Sequence, residues 1–166
     1  MFNSTKSKVS AVILDIGCGT GLLHRYLLNH RLNFGKYVCL DPSEHMLRFA
    51  EVKSRRDYRA ITILGYGENL PIRDKVVDLA LMITVWDNLT DKPKALLEMK
   101  RVLGRNGLSI VSKHRGVDRE SPSDIDPAFQ YIGECLDKFY AFSPTEAHVF
   151  KKERCLYTSG VYRLIS

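Results

Sequence analysis

The segment Val12-Ile13-Leu14-Asp15-Ile16-Gly17-Cys18-Gly19-Thr20-Gly21 constrains the fold more than any other. Ala11 to Ile16 is a short, β-rich apolar run closed by glycines, and it reads as a buried strand. Gly17 to Gly21 follows as a tight turn, and Leu22, Leu23, Tyr26, Leu27 and Leu28 then recur at helical spacing, which predicts a helix from about Thr20 to His30. Glycines in such a turn let the backbone come close to a ligand, with N–H groups pointing outward at the start of the helix. In an open α/β sheet the crevice beyond the strand ends is where ligands bind.

The rest of the chain alternates in the same way. Tyr37 to Leu40 reads as a second strand ending at Asp41, and Ser43 as the N-cap of a helix with Met46, Leu47 and Ala50 on one face. Ala60 to Leu64 is a third strand, and Gly65 to Lys75, with two Gly and one Pro, a loop. Val76 to Ile83 has almost no polar interruption, the mark of a strand covered on both faces. A helix is predicted over about Asp91 to Leu103, closed by Gly104 to Gly107, with a fifth strand at Leu108 to Ser112. Strands and helices in this alternation indicate a doubly wound, mostly parallel sheet in a three-layer α/β fold. Gly116 to Asp126 reads as a mobile polar loop and Pro127 to Phe139 as a helix. Ser143-Pro144-Thr145-Glu146 resembles a capping box, and Cys155 to Ile165 predicts one or two terminal strands. With 166 residues, 45% apolar and 27% charged, the expectation is one domain over 1–166 that needs no disulfide or structural metal.

The net charge of +6 leaves three readings open. The densest run, Arg55, Arg56 and Arg59, is broken by Asp57 and reads first as the solvated end of a helix; a nucleic-acid surface and an acidic small-molecule substrate fit the same charge. The four cysteines, Cys18, Cys39, Cys135 and Cys155, show no two-residue spacing of a zinc or redox site. They are expected as buried free thiols, with no metal and a reducing, cytoplasmic setting. Met1 to Ser10 is polar, and the apolar run after it ends at Asp15, too soon for a secretory segment or a membrane span, so no membrane partner is expected.

Two carboxylates sharpen the reading of the turn. Asp41 ends the second strand 20 residues after Gly21, where it can accept both hydroxyls of a ribose. Asp15 lies inside the first strand, where it suits a ligand carrying an ammonium group and would repel a pyrophosphate; a hydrogen bond to the turn's own backbone is the plainer alternative. The dinucleotide pattern G-x-G-x-x-G fails because position 22 is Leu22.

On these residues the chain resembles the class I S-adenosylmethionine-dependent methyltransferases, whose motif I is D-x-G-x-G-x-G. Cys39-Leu40-Asp41-Pro42-Ser43 resembles the segment after motif I, where the acid holds the ribose. Gly65-Tyr66-Gly67-Glu68-Asn69-Leu70-Pro71-Ile72 resembles the G-D-A-E-x-L-P-F loop beside the adenine, Val77-Asp78-Leu79 the F-D-x-V strand start, and Arg101-Val102-Leu103 with Asn106-Gly107-Leu108 the R-V-L-K-P-G-G turn. The resemblance covers about residues 11–113 and is closest to the small-molecule branch that includes the ubiquinone and menaquinone biosynthesis enzymes. It implies a seven-stranded-type sheet, complete or reduced at its C-terminal end. It also implies S-adenosyl-L-methionine as cofactor, held by Asp15, Gly17, Cys18, Gly19, Gly21, Asp41, Pro42, Met46, Tyr66, Gly67, Glu68 and Ile83. Met46 either covers the adenine face or packs in the core, and Cys18 contributes only its backbone.

The departures from the family pattern bear on function. Tyr66 stands where the adenine loop usually has Asp, and it stacks on the ring, donates its hydroxyl or leaves adenine to the backbone of Gly67. The turn after the fourth strand is Trp86-Asp87-Asn88, and the N-P-P-Y signature of exocyclic base methylation is absent there. Since little chain precedes the first strand, the acceptor pocket is open, completed by a second subunit or partner, or closed by the loop at 116–126. Methyl transfer from a sulfonium is an in-line displacement in which positioning does most of the work, and a base is needed only when the acceptor must lose a proton. Asp87 and His114, after the fourth and fifth strands, are the catalytic candidates; their plainer roles are a cap and a solvated loop residue, and Trp86 either walls the acceptor pocket or packs in the core. A small-molecule acceptor is the leading expectation, with methylation of RNA or protein alongside a partner, or cofactor binding without turnover, as the alternatives.

Overall fold

A computed structural model of the chain describes residues 11–114, 120–136 and 158–164. The elements follow in the order β1 (Val12–Ile16), α1 (Leu22–Asn29), β2 (Lys36–Asp41), α2 (Glu44–Ser54), β3 (Ala60–Leu64), β4 (Val77–Met82), α3 (Lys92–Val102), β5 (Leu103–His114), α4 (Pro122–Ile125), β6 (Phe129–Leu136) and β7 (Thr158–Leu164). They build a seven-stranded sheet in the order β3-β2-β1-β4-β5-β7-β6. β1 to β5 run parallel, and β7 is antiparallel to both β5 and β6. The chain winds outward from β1 through β2 to β3, then returns to β4 on the other side of β1. That reversal leaves a crevice at the carboxyl ends of β1 and β4.

Period-two alternation divides the core into two layers. Leu14 and Ile16 of β1, Ala80 and Met82 of β4 and Val38 and Leu40 of β2 pack with Ala95, Leu96, Met99 and Val102 of α3. Ile13 of β1, Leu81 of β4 and Tyr37 and Cys39 of β2 pack on the opposite face with Leu47 and Ala50 of α2 and Leu23 and Leu27 of α1. Asp15 shares this second face, because it alternates with Leu14 and Ile16. α2 and α3 start where short polar side chains accept their first N–H groups: Ser43 Oγ accepts from Met46 N at 3.3 Å, and Asp91 Oδ1 accepts from Lys94 N at 3.0 Å.

Three expectations are overturned. The stretch expected as a helix over Pro127–Phe139 carries β6 instead. It pairs with β7 from Phe129↔Leu164 to Leu136↔Thr158, which satisfies the strand backbone and buries Phe129 completely; pairing overrides local helix propensity here. Within the expected loop 116–126, Pro122–Ile125 forms one helical turn whose capping box joins Ser121 and Asp124. β5 begins at Leu103, because a bulge between the pairs Val77↔Leu103 and Leu79↔Leu108 absorbs Gly104–Gly107 into the strand. The capping box expected at 143–146 lies outside the described residues.

A fourth correction concerns the thiols. Cys18 and Cys39, expected free, form a disulfide with Cα atoms 5.3 Å apart, inside the bonding range. The cause is register: Cys39 sits opposite Asp15 on the parallel neighbour, and the turn after β1 curls back over β2. With a sequence separation of 21, the cross-link should stabilise the fold by about 3 kcal/mol through loop closure. Reduction is therefore expected to lower the melting temperature by roughly 6–12 °C, read by thermal denaturation with and without phosphine reductant. Equal melting in both conditions, with the thiols titrated free, would refute this.

Candidate functional site

The turn after β1 is built on backbone conformations that favour glycine. Gly17, Gly19 and Gly21 have φ of 72°, 53° and 73°. A Cβ on Gly17 would lie 2.2 Å from Val85 Cγ2 and one on Gly21 3.3 Å from Ala50 Cβ, whereas one on Gly19 meets nothing within 4 Å. The turn is thus backed by protein at its two ends and open at its middle. Its amides are not free to grip a ligand as expected. Gly17 N and Cys18 N donate to Leu40 O at 2.7 and 3.1 Å, Gly21 N to Cys18 O at 3.0 Å, and Gly19 N to Asp41 Oδ2 at 2.9 Å. What the turn offers at Gly19 is a surface without side chains.

Asp41, at the end of β2, is buried and ties this turn to α2. Oδ2 accepts from Gly19 N and Oδ1 from Ser43 N at 2.8 Å, so each oxygen keeps a second lone pair. Pro42 beside it is exposed. Lys53 on α2 braces the turn from the other side, donating to Thr20 O at 3.0 Å. Cys18 and Cys39 add a covalent link between the same two segments.

Asp15 is buried in β1 and accepts a hydrogen bond from the Tyr37 hydroxyl rather than from the turn's backbone. Burial pushes its carboxyl up to about 6, against the lowering effect of the Tyr37 bond, with the nearby Asp41 charge adding to the rise. Burial also pushes the Tyr37 phenol up, as does the Asp15 charge. Between about pH 4 and 6 the folded chain holds a proton on Asp15 that the unfolded chain has released, so this group's contribution to stability falls as pH rises through that window. A cation brought to Asp15 would reverse the effect.

The loop after β3 is held by α3. Arg101 donates to the carbonyls of Leu70 and Ile72 at 2.9 and 2.8 Å and pairs with Asp74 and Glu98, while Glu98 accepts from Leu70 N at 2.8 Å. Glu98 lies below its ordinary carboxyl value because of the Arg101 hydrogen bonds. Gly67 is buried, and a Cβ there would meet Ile16 Cγ2 at 3.1 Å. Tyr66 is 64% exposed and Met46 41% exposed, so Met46 is not a core residue. Glu68 turns the other way: its Oε1 accepts from Thr90 N at 2.9 Å, at the entrance to α3. Ile83, at the end of β4, is half-buried against the layer of α1 and α2.

Beyond β4 the backbone is strained. Thr84 has φ 59°, rare for a β-branched residue, and its N–H donates to Ser112 Oγ at 2.8 Å. Trp86 is fully buried in the α3 layer with Nε1 donating to Glu120 O at 3.0 Å, so it is core and not a pocket wall. Asp87 is half-buried in the single 3₁₀ turn Trp86–Asn88. His114 ends β5, and its side chain lies outside the described residues. Among the described residues no group of three or more His, Cys, Asp or Glu is placed to hold a metal ion, and no helix is long and apolar enough to cross a membrane. Tyr37 and the Arg101 clamp escaped the sequence reading because each depends on a partner far away in the chain.

Residues 14–111 match the model of a family described as a methyltransferase domain. The malonyl-[acyl-carrier protein] O-methyltransferase of Geobacter sulfurreducens is 35% identical over 98 residues, which is 59% of this chain and 36% of that protein. The demethylmenaquinone methyltransferase of Thermotoga maritima is 33% identical over 99 residues, 60% of this chain and 42% of that one. The chain therefore spans less than half the length of these relatives. The crystal structure of a SAM dependent methyltransferase from Aquifex aeolicus superposes with a TM-score of 0.68 at 20% identity, covering 96% of this chain and 84% of that chain, and shows the same fold.

Proposed function

We propose, from the premise that this chain belongs to the methyltransferase domain family, that it binds S-adenosyl-L-methionine and moves the methyl group to an O, N or C atom of a small-molecule acceptor. The observation that carries the reading is the convergence of an open glycine surface at Gly19, beside the switch point of the sheet, with the Asp41 carboxylate at the end of β2. The residues fit the cofactor: the second lone pairs of Asp41 would accept from the ribose hydroxyls, Asp15 would meet the ammonium, and Gly67 with Tyr66 and Met46 would hold the adenine. Gly17, Cys18 and Gly21 shape the turn, Pro42 and Ile83 line its edges, and Glu68 fixes the loop from behind. The bound cofactor supplies an activated methyl group on a neutral leaving sulfide.

This chain's own contribution is alignment. Glycine at 19 lets the ligand lie against the backbone, and the Asp41 bonds to Gly19 N and Ser43 N fix the ribose acid before binding, which lowers the ordering cost of association. Asp87, on the turn beyond β4, and His114, at the end of β5, take the acceptor's proton where one must leave. The names of the relatives, a malonyl-[acyl-carrier protein] O-methyltransferase and a demethylmenaquinone methyltransferase, favour an acidic or aromatic acceptor over RNA. The whole of 1–166 works as one domain. The reading keeps a cytoplasmic setting, although the Cys18–Cys39 bond removes the free-thiol argument for it.

The test is calorimetric titration with S-adenosylhomocysteine, followed by mass-spectrometric detection of methyl transfer from S-adenosylmethionine to a panel of carboxylate, phenolic, RNA and protein acceptors. Micromolar binding with a methylated product is expected. Binding without any product across acid, phenol, RNA and protein acceptors would leave a cofactor-binding module, and absence of binding by the folded chain would remove the assignment.

A further inference from the structure

We propose that Tyr37 is a positioning residue for the amino-acid end of the cofactor: its hydroxyl holds the Asp15 carboxylate so that the free oxygen meets an ammonium. The proposal rests on the reading that an S-adenosyl amino acid binds at this turn.

Tyr37 and Asp15 lie on the same face of neighbouring strands and are both nearly inaccessible, at 1% and 3% exposure. On that apolar layer a phenylalanine would pack as well as a tyrosine; the hydroxyl has a reason to be there only if it has a polar partner. Its partner is Asp15 Oδ2, and among the described residues this is the one hydrogen bond on the Asp15 side chain. The backbone of His24, in the first turn of α1, lies beside the same phenol oxygen. Tyr37 therefore links the carboxylate to the start of the helix that opens the site.

The ring itself cannot swing. His24 packs against it with centroids 5.0 Å apart, and Phe34 lies 6.3 Å away on the same layer. His24 is fixed in turn, with Nε2 2.9 Å from Asp57 Oδ2, and Asp57 is gripped by Arg59 at 2.8 Å. A chain of mostly buried polar groups thus runs from the Asp57–Arg59 pair through His24 and Tyr37 to Asp15. It sets the direction of one carboxylate oxygen and leaves the other uncommitted.

Asp15 is buried with a single donor, a state in which its charge is poorly compensated. The groups facing it are Tyr37 and Asp41 of β2, with His24 of α1 behind the phenol; its β4 neighbour, Leu81, is apolar. None of these is a lysine or an arginine. An ammonium is the group that would balance this carboxylate, and the Tyr37 hydrogen bond favours its ionised form and aims it.

The test compares two ligands that share the adenosyl thioether: S-adenosylhomocysteine, which carries the ammonium, and 5′-methylthioadenosine, which lacks the amino acid. For the unaltered chain, affinity for the first is expected to rise about tenfold as pH increases from roughly 5 to 8, as Asp15 ionises, while affinity for the second stays flat. In Tyr37→Phe, affinity for S-adenosylhomocysteine at pH 7 should fall about five- to tenfold and the midpoint of its pH profile should move up, because the bond that favours ionised Asp15 is gone; methylthioadenosine should bind as before. Equal loss for both ligands would show a merely structural tyrosine and overturn the proposal. An unmoved profile in Tyr37→Phe would overturn it too. If that variant fails to fold, the unaltered chain decides: parallel pH profiles for the two ligands refute the ammonium contact. Binding of methylthioadenosine but no preference for S-adenosylhomocysteine at any pH would sink the Tyr37 role and spare the nucleoside site, whereas binding of neither would remove both.

Discussion

Asp41→Ala is expected to weaken binding of S-adenosylhomocysteine by at least about tenfold, and by as much as a hundredfold if both ribose hydroxyls use the carboxylate, since hydrogen bonds to a charged group contribute about 1.5–3 kcal/mol each. The carboxylate does more than receive a ligand. It also accepts from Gly19 N and Ser43 N, so the same change leaves two amides at the heart of the site without their acceptor. A stability loss of about 1–3 kcal/mol should accompany the binding loss. The two effects separate with Asp41→Asn, which keeps one oxygen for a backbone amide and loses the charge. Calorimetry and urea denaturation on the two variants measure both. An unchanged dissociation constant in Asp41→Ala would remove this residue from the cofactor site.

Gly17→Ala is expected to cost about 2–5 kcal/mol of stability, the largest single effect in the turn. One part is conformational: a φ of 72° is the left-handed region, which costs an L-residue about 1–2 kcal/mol. The other is steric, because the new methyl would stand 2.2 Å from Val85 Cγ2, and Val85 is branched at Cβ and cannot swing its far end away. Gly19→Ala is the informative contrast. It carries a similar φ of 53° but meets nothing within 4 Å, so its stability loss stays near the conformational part while the methyl occupies the surface left for the ligand. The first variant should shift the urea midpoint far more than the second, and the second should lose cofactor affinity at near-native stability. Equal midpoints for the two variants would show that Val85 yields and that the turn is looser than its packing indicates.

The contrast between these two glycines shows how legible the site was. The strand from Val12, the glycine turn and the helix after it were readable because every contact that defines them is local: alternation, positive φ and a 3.6-residue repeat need only neighbours a few positions away. β2 and β3 were readable for the same reason, and Asp41 could be placed because it directly ends β2. The stretch 127–139 misled, since its local composition favours a helix while its backbone partner, β7, begins at Thr158. The Arg101 clamp on Leu70 and Ile72 lay beyond reach for the same physical cause: a guanidinium finds its carbonyls across 31 and 29 positions.

By itself the sequence determined a parallel, doubly wound sheet with a glycine turn after β1, and it placed Asp15 inside β1 and Asp41 at the end of β2. Only the tertiary structure decided how those groups are used. It turned the amides of Gly17, Cys18, Gly19 and Gly21 inward to build the turn, joined Cys18 to Cys39, and gave Asp15 to Tyr37. Each of these outcomes depends on which side chains of adjacent parallel strands come to face one another. Register and layer packing fix that, and residues some twenty positions apart in the chain carry no local signal of it.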